Sequence, residues 1–119
     1  MIDGVVGVII WTEDLERLLG FYRDTLGLRP YSVQPGFASF KWGDMRLGVG
    51  THSHVVGKTK EPFRVMVNLG VSDIHAAYDL LIAKGVEFTR PPEQEQWGGW
   101  VSTFSDPDGN TLQLMQLAA

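Results

Sequence analysis

The chain has 119 residues, 44% of them hydrophobic, a formal charge of −4 at pH 7 and no cysteine. That is one domain's length with enough apolar side chains for an ordinary core. The acidic balance and the lack of a basic cluster exclude nucleic acid as a partner; the missing cysteines exclude a disulfide framework and a thiolate metal site.

The longest apolar run, Val5 to Trp11, is too short to span a membrane and is rich in β-branched residues, so it predicts a strand. The N-terminus lacks the basic-then-apolar pattern of a signal peptide, and a soluble cytoplasmic protein is expected. Thr12, Glu13 and Asp14 supply helix-start chemistry. Leu15, Leu18, Leu19, Tyr22 and Leu26 then recur at helical spacing, and Gly27 ends the helix. Leu28 to Val33 reads as a strand, Gln34-Pro35-Gly36 as a turn and Phe37 to Trp42 as the next strand. Gly43-Asp44 is a tight turn before Met45 to Gly50.

Thr51 to Glu61 is polar and reads as a linker. Arg64 to Val71 is a strand, and Ser72 is a candidate cap for a helix with the buried stripe Ile74, Tyr78 and Leu81, ended by Gly85. Val86 to Arg90 is a strand closed by Pro91-Pro92, and Glu93 to Gly99 is a polar loop. The last hairpin turns at Asp106-Pro107-Asp108-Gly109, with proline where φ near −65° is wanted and glycine where φ is positive. Its strands are two-faced. Val101, Thr103 and Ser105 oppose Trp100, Ser102 and Phe104; Leu112 and Leu114 oppose Thr111, Gln113 and Met115.

Strand, helix and three strands thus occur twice. The repeat implies an α+β fold: two tandem βαβββ modules making a curved mixed sheet, with helices outside and a concave groove inside. The whole of 1–119 is read as one domain, with module one at 1–50, the linker at 51–61 and module two at 62–119.

Two sets of residues carry a resemblance. Thr12-Glu13-Asp14-Leu15-Glu16-Arg17 and Phe21-Tyr22-Arg23-Asp24-Thr25-Leu26-Gly27-Leu28 resemble the first-module signature of the vicinal oxygen chelate superfamily. Val71-Ser72-Asp73, Ala83-Lys84-Gly85-Val86, Trp97-Gly98 and Phe104 to Asn110 are similar to its second module. That superfamily includes glyoxalase I, extradiol dioxygenases, fosfomycin resistance proteins and bleomycin-binding proteins. Its enzymes hold a divalent metal with one residue from each of four strands, and the resemblance puts those positions at Gly7, Gly48, Met66 and Gln113. Glycine offers no ligand, Met66 is a soft thioether and Gln113 a neutral carbonyl, a poor set for a hard cation. No metal or other cofactor is therefore expected, and no catalytic residue is assigned.

Other candidates have plain alternatives. His52 and His54 would form half a zinc site if the strand continued, or are solvated in the linker. His75 reads as a surface residue. Asp106, Asp108, Glu93, Glu95, Asp14, Glu16 and Asp73 have turn, loop or helix-start roles that compete with acid–base catalysis.

The resemblance also sets the groove face. Trp11 shares parity with Gly7, Arg46 with Gly48, Asn68 with Met66, and Met115 with Gln113. With Trp42, Trp97 and Trp100, these give the candidate ligand-binding set Trp11, Trp42, Arg46, Met66, Asn68, Trp97, Trp100, Gln113 and Met115. Aromatic walls, thioethers and a few polar groups suit a flat organic ligand, although tryptophans also cover dimer interfaces. The metal-free pattern and the Trp-Gly before the last hairpin are most similar to the bleomycin-binding branch, whose members are homodimers that sequester a drug. The expectation is a metal-independent small-molecule-binding homodimer. A metal-dependent lyase, isomerase or dioxygenase with relocated ligands is the alternative, and a peptide-binding interaction module is a third.

Overall fold

The computed structural model describes residues 1–118. Eight strands and two helices run in the order β1 (Gly7–Thr12), α1 (Leu15–Gly20), β2 (Ser32–Gln34), β3 (Phe37–Trp42), β4 (Met45–Thr51), β5 (Met66–Gly70), α2 (Ile74–Ala83), β6 (Phe88–Gln94), β7 (Trp100–Ser105) and β8 (Thr111–Gln116). They hydrogen-bond as two four-stranded sheets, β1-β4-β3-β2 and β5-β8-β7-β6. In each, the first and last strands of the repeat pair in parallel and the other neighbours are antiparallel. The same order at both ends of the chain is the repeat in physical form. The chain divides after Gly57 into two compact units, one sheet to each. No described helix is long and apolar enough to cross a membrane.

In the first unit, Asp14 caps α1 by accepting the Arg17 backbone N–H at 3.2 Å, and the buried Thr12 hydroxyl accepts the Asp14 N–H. The expected single helix splits. After Gly20 the chain widens into a π-helical turn at Phe21–Thr25, which closes when the Leu26 N–H reaches the Phe21 carbonyl. Gly27, at φ +75°, then takes the left-handed conformation that lets the helix stop. Leu18, Leu19 and Tyr22 bury the helical stripe, α1 packs on β4, and Ile10, Ala38, Phe40, Leu47 and Val49 complete this core. The strand expected over Leu28 to Val33 is shorter and later, because only Ser32–Gln34 faces β3 in register.

In the second unit the cap is Asp73 rather than Ser72; its carboxylate accepts the Ala76 N–H at 3.1 Å. The Gln116 side-chain oxygen satisfies another free donor, the Ile74 N–H, at 2.8 Å. Ile74 and Leu81 are buried, and Val86, Phe104, Leu112 and Leu114 complete this core. Pro91-Pro92 does not close β6, which continues to Gln94 with register shifts on both sides of Arg90. Two consecutive prolines are tolerated there because β6 is an edge strand and the register shift between Arg90 and Glu93 leaves neither of them paired with β7, so no ladder bond is lost. The last turn forms as expected: Gly109 has φ +82°. The buried Asp106 carboxylate accepts the Asp108 and Asn110 backbone N–H groups and the Asn110 side-chain amide.

Candidate functional site

One face of each sheet carries its helix; the other is open. In the first unit the register aligns Gly7 with Arg46, Ile9 with Gly48 and Trp11 with Gly50 on the open face. Phe37, Ser39 and Lys41 of β3 extend it, opposite Gly50, Gly48 and Arg46. Trp11 and Arg46 therefore share a face but stand at opposite ends of it, four residues of strand apart, about 13 Å.

Phe37 fills the middle. Its ring lies over two glycines: a Cβ at Gly48 would fall 2.5 Å from the ring, and one at Gly50 would fall 2.6 Å from it. Trp11 packs beside Phe37 with ring centroids 5.9 Å apart. The same tryptophan meets His52 edge-on at 5.2 Å, and His52 meets His54 at 5.2 Å. The two histidines are not strand neighbours on one face: β4 ends at Thr51, and His52 Nδ1 accepts the His54 backbone N–H at 3.1 Å. Among the described residues, no three His, Cys, Asp or Glu side chains gather as a metal ion would require.

At the far end of this face, Lys41 and Arg46 stand directly opposite each other and both reach the Tyr31 ring, at 4.9 and 5.2 Å from its centroid. Trp42 belongs to the opposite face, where its ring stacks on the core residue Phe40.

In the second unit Met66, Asn68, Gln113 and Met115 share the open face, with Asn68 paired to Gln113. Gln113 is committed to the sheet through its amide, which donates to the Thr103 hydroxyl at 3.1 Å. The Thr111 hydroxyl donates to the Pro62 carbonyl. Trp100 is on the helix side, edge-on to His75 of α2 at 4.8 Å. Trp97 sits in a turn closed by the Glu95–Gly99 and Gly98–Glu95 backbone bonds, its ring lying on Gly99. Arg90 on β6 is neutralised locally: hydrogen bonds to Glu93 and then Glu95 push its guanidinium above the ordinary arginine range.

A family model described as the glyoxalase/bleomycin resistance protein/dioxygenase superfamily matches residues 4–114. The chain belongs to that superfamily. A superfamily member from Sphaerobacter thermophilus is 29% identical, with a TM-score of 0.76 over 97% of this chain and 98% of that one. A glyoxalase/bleomycin resistance protein/dioxygenase from Nocardioides is 27% identical, with a TM-score of 0.74 over 99% and 85%. The Bacillus subtilis protein YraH, described as uncharacterized, is 27% identical over 88% of this chain and 91% of its own length.

The resemblance assigns the superfamily's metal to four positions. In the first unit neither position admits a side chain as the strands stand. A Cβ at Gly7 would fall 2.8 Å from the Arg46 carbonyl oxygen, and the Gly48 position is covered by Phe37. In the second unit Met66 and Gln113 offer a thioether and an amide already engaged by Thr103. These residues do not fit a divalent metal.

Sequence reasoning passed over Phe37, Tyr31 and Lys41. Their signals were present: a Gly-x-Gly on β4 facing an aromatic on β3, and a two-residue turn at Gly43-Asp44 that sets Lys41 opposite Arg46.

Proposed function

We propose that this superfamily member binds a small organic molecule without a metal and performs no bond chemistry, its action being sequestration. The observation that carries this reading is the donor set at the superfamily's metal positions: two glycines with no room for a side chain, a thioether and an engaged amide. What remains on the open faces suits contact with a flat ligand: Trp11 and Phe37 in the first unit, Met66, Asn68 and Met115 in the second. In this reading the chain works as a homodimer of the bleomycin-binding kind. Support comes from apolar side chains left exposed beside or on the edge strands β1 and β5, among them Val5, Val6, Ile9, Phe63 and Val65.

The test is metal analysis and native mass spectrometry on one preparation purified without an affinity tag, followed by tryptophan-fluorescence titration with flat aromatic compounds. Substoichiometric metal, a dimer mass and saturable quenching are expected. Activity that a chelator removes and added metal restores would overturn the reading.

A further inference from the structure

The Lys41–Arg46 corner of the first unit has a feature that folding does not explain. Carboxylates outnumber cations in this chain, 14 to 10. Arg17, Arg23, Arg64 and Arg90 each hold a carboxylate partner. Lys41 and Arg46 have none among the described residues, although they occupy directly opposed sites on neighbouring strands, where like charges repel. The Tyr31 ring gathers both. Beside Lys41 lies an open hollow of ≈ 670 Å³, to which Tyr31 and Lys41 contribute together with Leu28, Arg29, Pro30 and Trp42; Arg46 stands outside its lining and reaches the corner through Tyr31. Arg29 and Lys41 line it, and no acid does.

Repelling cations held side by side, without a counter-charge and next to an apolar wall, are arranged for an anion with an apolar body. We propose that this corner binds a small aromatic carboxylic acid: the carboxylate accepts hydrogen bonds from Lys41 and Arg46, and the ring lies in the hollow against Leu28 and Pro30. The inference rests on the small-molecule-binding reading above and names its ligand class. A carboxylate between an ammonium and a guanidinium makes charge-assisted bonds that a neutral group cannot, and it removes the repulsion between them. The recognition is therefore selective for charge before shape.

The probes are 2-naphthoate, its neutral isostere 2-naphthalenemethanol and inorganic phosphate, each titrated into the full chain by calorimetry and by amide NMR shifts. Naphthoate is expected to bind about tenfold tighter than the alcohol or phosphate. Its shifts should centre on Leu28 to Tyr31 and Lys41 to Gly43, and its affinity should fall with added salt. Lys41→Gln and Arg46→Gln, both at exposed positions, should each weaken it several-fold, and Arg64→Gln, on an ion pair of the second unit, should not. Equal binding of acid and alcohol, equal binding of phosphate and naphthoate, or unchanged affinity in the Lys41→Gln/Arg46→Gln double variant would each overturn the inference. Aromatic binding that maps to Trp11 with no preference for the acid would sink this inference and leave sequestration standing. No binding of any aromatic probe would remove both.

Discussion

Gly48→Ala puts the covered metal position to a direct test. The added methyl would start 2.5 Å from the nearest ring carbon of Phe37 and 3.2 and 3.4 Å from the next two. Ordinary carbon contacts lie near 3.5–4.0 Å, so the ring must retreat by roughly 1 Å or more. It is also pressed on Gly50, which closes the simplest retreat. Overpacking of this kind costs about 1–3 kcal/mol. Against that, alanine in a strand recovers about 0.5–1 kcal/mol relative to glycine. The net is a loss of about 1 kcal/mol, or about 4 °C in Tm for a chain of this size. In a Phe37→Ala background the clash is gone, and the same substitution should become stabilising by about 0.5–1 kcal/mol. Urea unfolding of the four proteins in the cycle gives the coupling free energy, expected at about 1–3 kcal/mol. A coupling below about 0.5 kcal/mol, or no change of sign, would mean that Phe37 does not seal this position.

Gly7→Ala should lose about 1–3 kcal/mol, because its methyl meets the Arg46 carbonyl at 2.8 Å and backbone cannot swing aside as a ring can; faster amide exchange along β1 is the readout, and native-like exchange would refute it. Asp106→Ala removes the acceptor of three hydrogen bonds in the buried last turn and should cost about 2–3 kcal/mol by chemical denaturation. A loss under about 0.5 kcal/mol would show that the turn is held by Pro107 and Gly109 alone. Asp73→Ala should cost about 1 kcal/mol through the lost cap of α2, whereas Ser72→Ala should be nearly neutral, and the reverse order would restore Ser72 as the cap.

How much of this was legible depends on the range of the interaction. The repeat was readable because helical and strand periodicities recur in one order, and that order fixes both sheets. The faces of the last hairpin were readable because alternation needs only the turn, and Thr103 does stand opposite Gln113. Local rules failed where a neighbour decides. Pro91-Pro92 looks like a stop until β6 is known to be an edge, and Ser72 and Asp73 are both good caps until the entry of α2 is built. Strand parity put Trp11 and Arg46 on one face of the sheet, as the register has them. The same parity, applied to Trp42 beside Phe40 and Trp100 beside Phe104, points to the helix sides where the structure puts them. Phe37 stayed hidden because its importance lies in what two glycines on another strand make room for. Tyr31 stayed hidden because it precedes β2 and reaches the cations only through the folded strand order.

The paired prolines on β6 also bear on how this protein behaves at high concentration. A sheet grows by recruiting a stranger's strand through free N–H and C=O groups along its border, the route to ordered aggregates. Pro91 and Pro92 supply no N–H, and the register shifts around Arg90 break the regular spacing that a newcomer would need. Replacing both prolines with valine or threonine would leave the strand better formed and that border open to polymerisation.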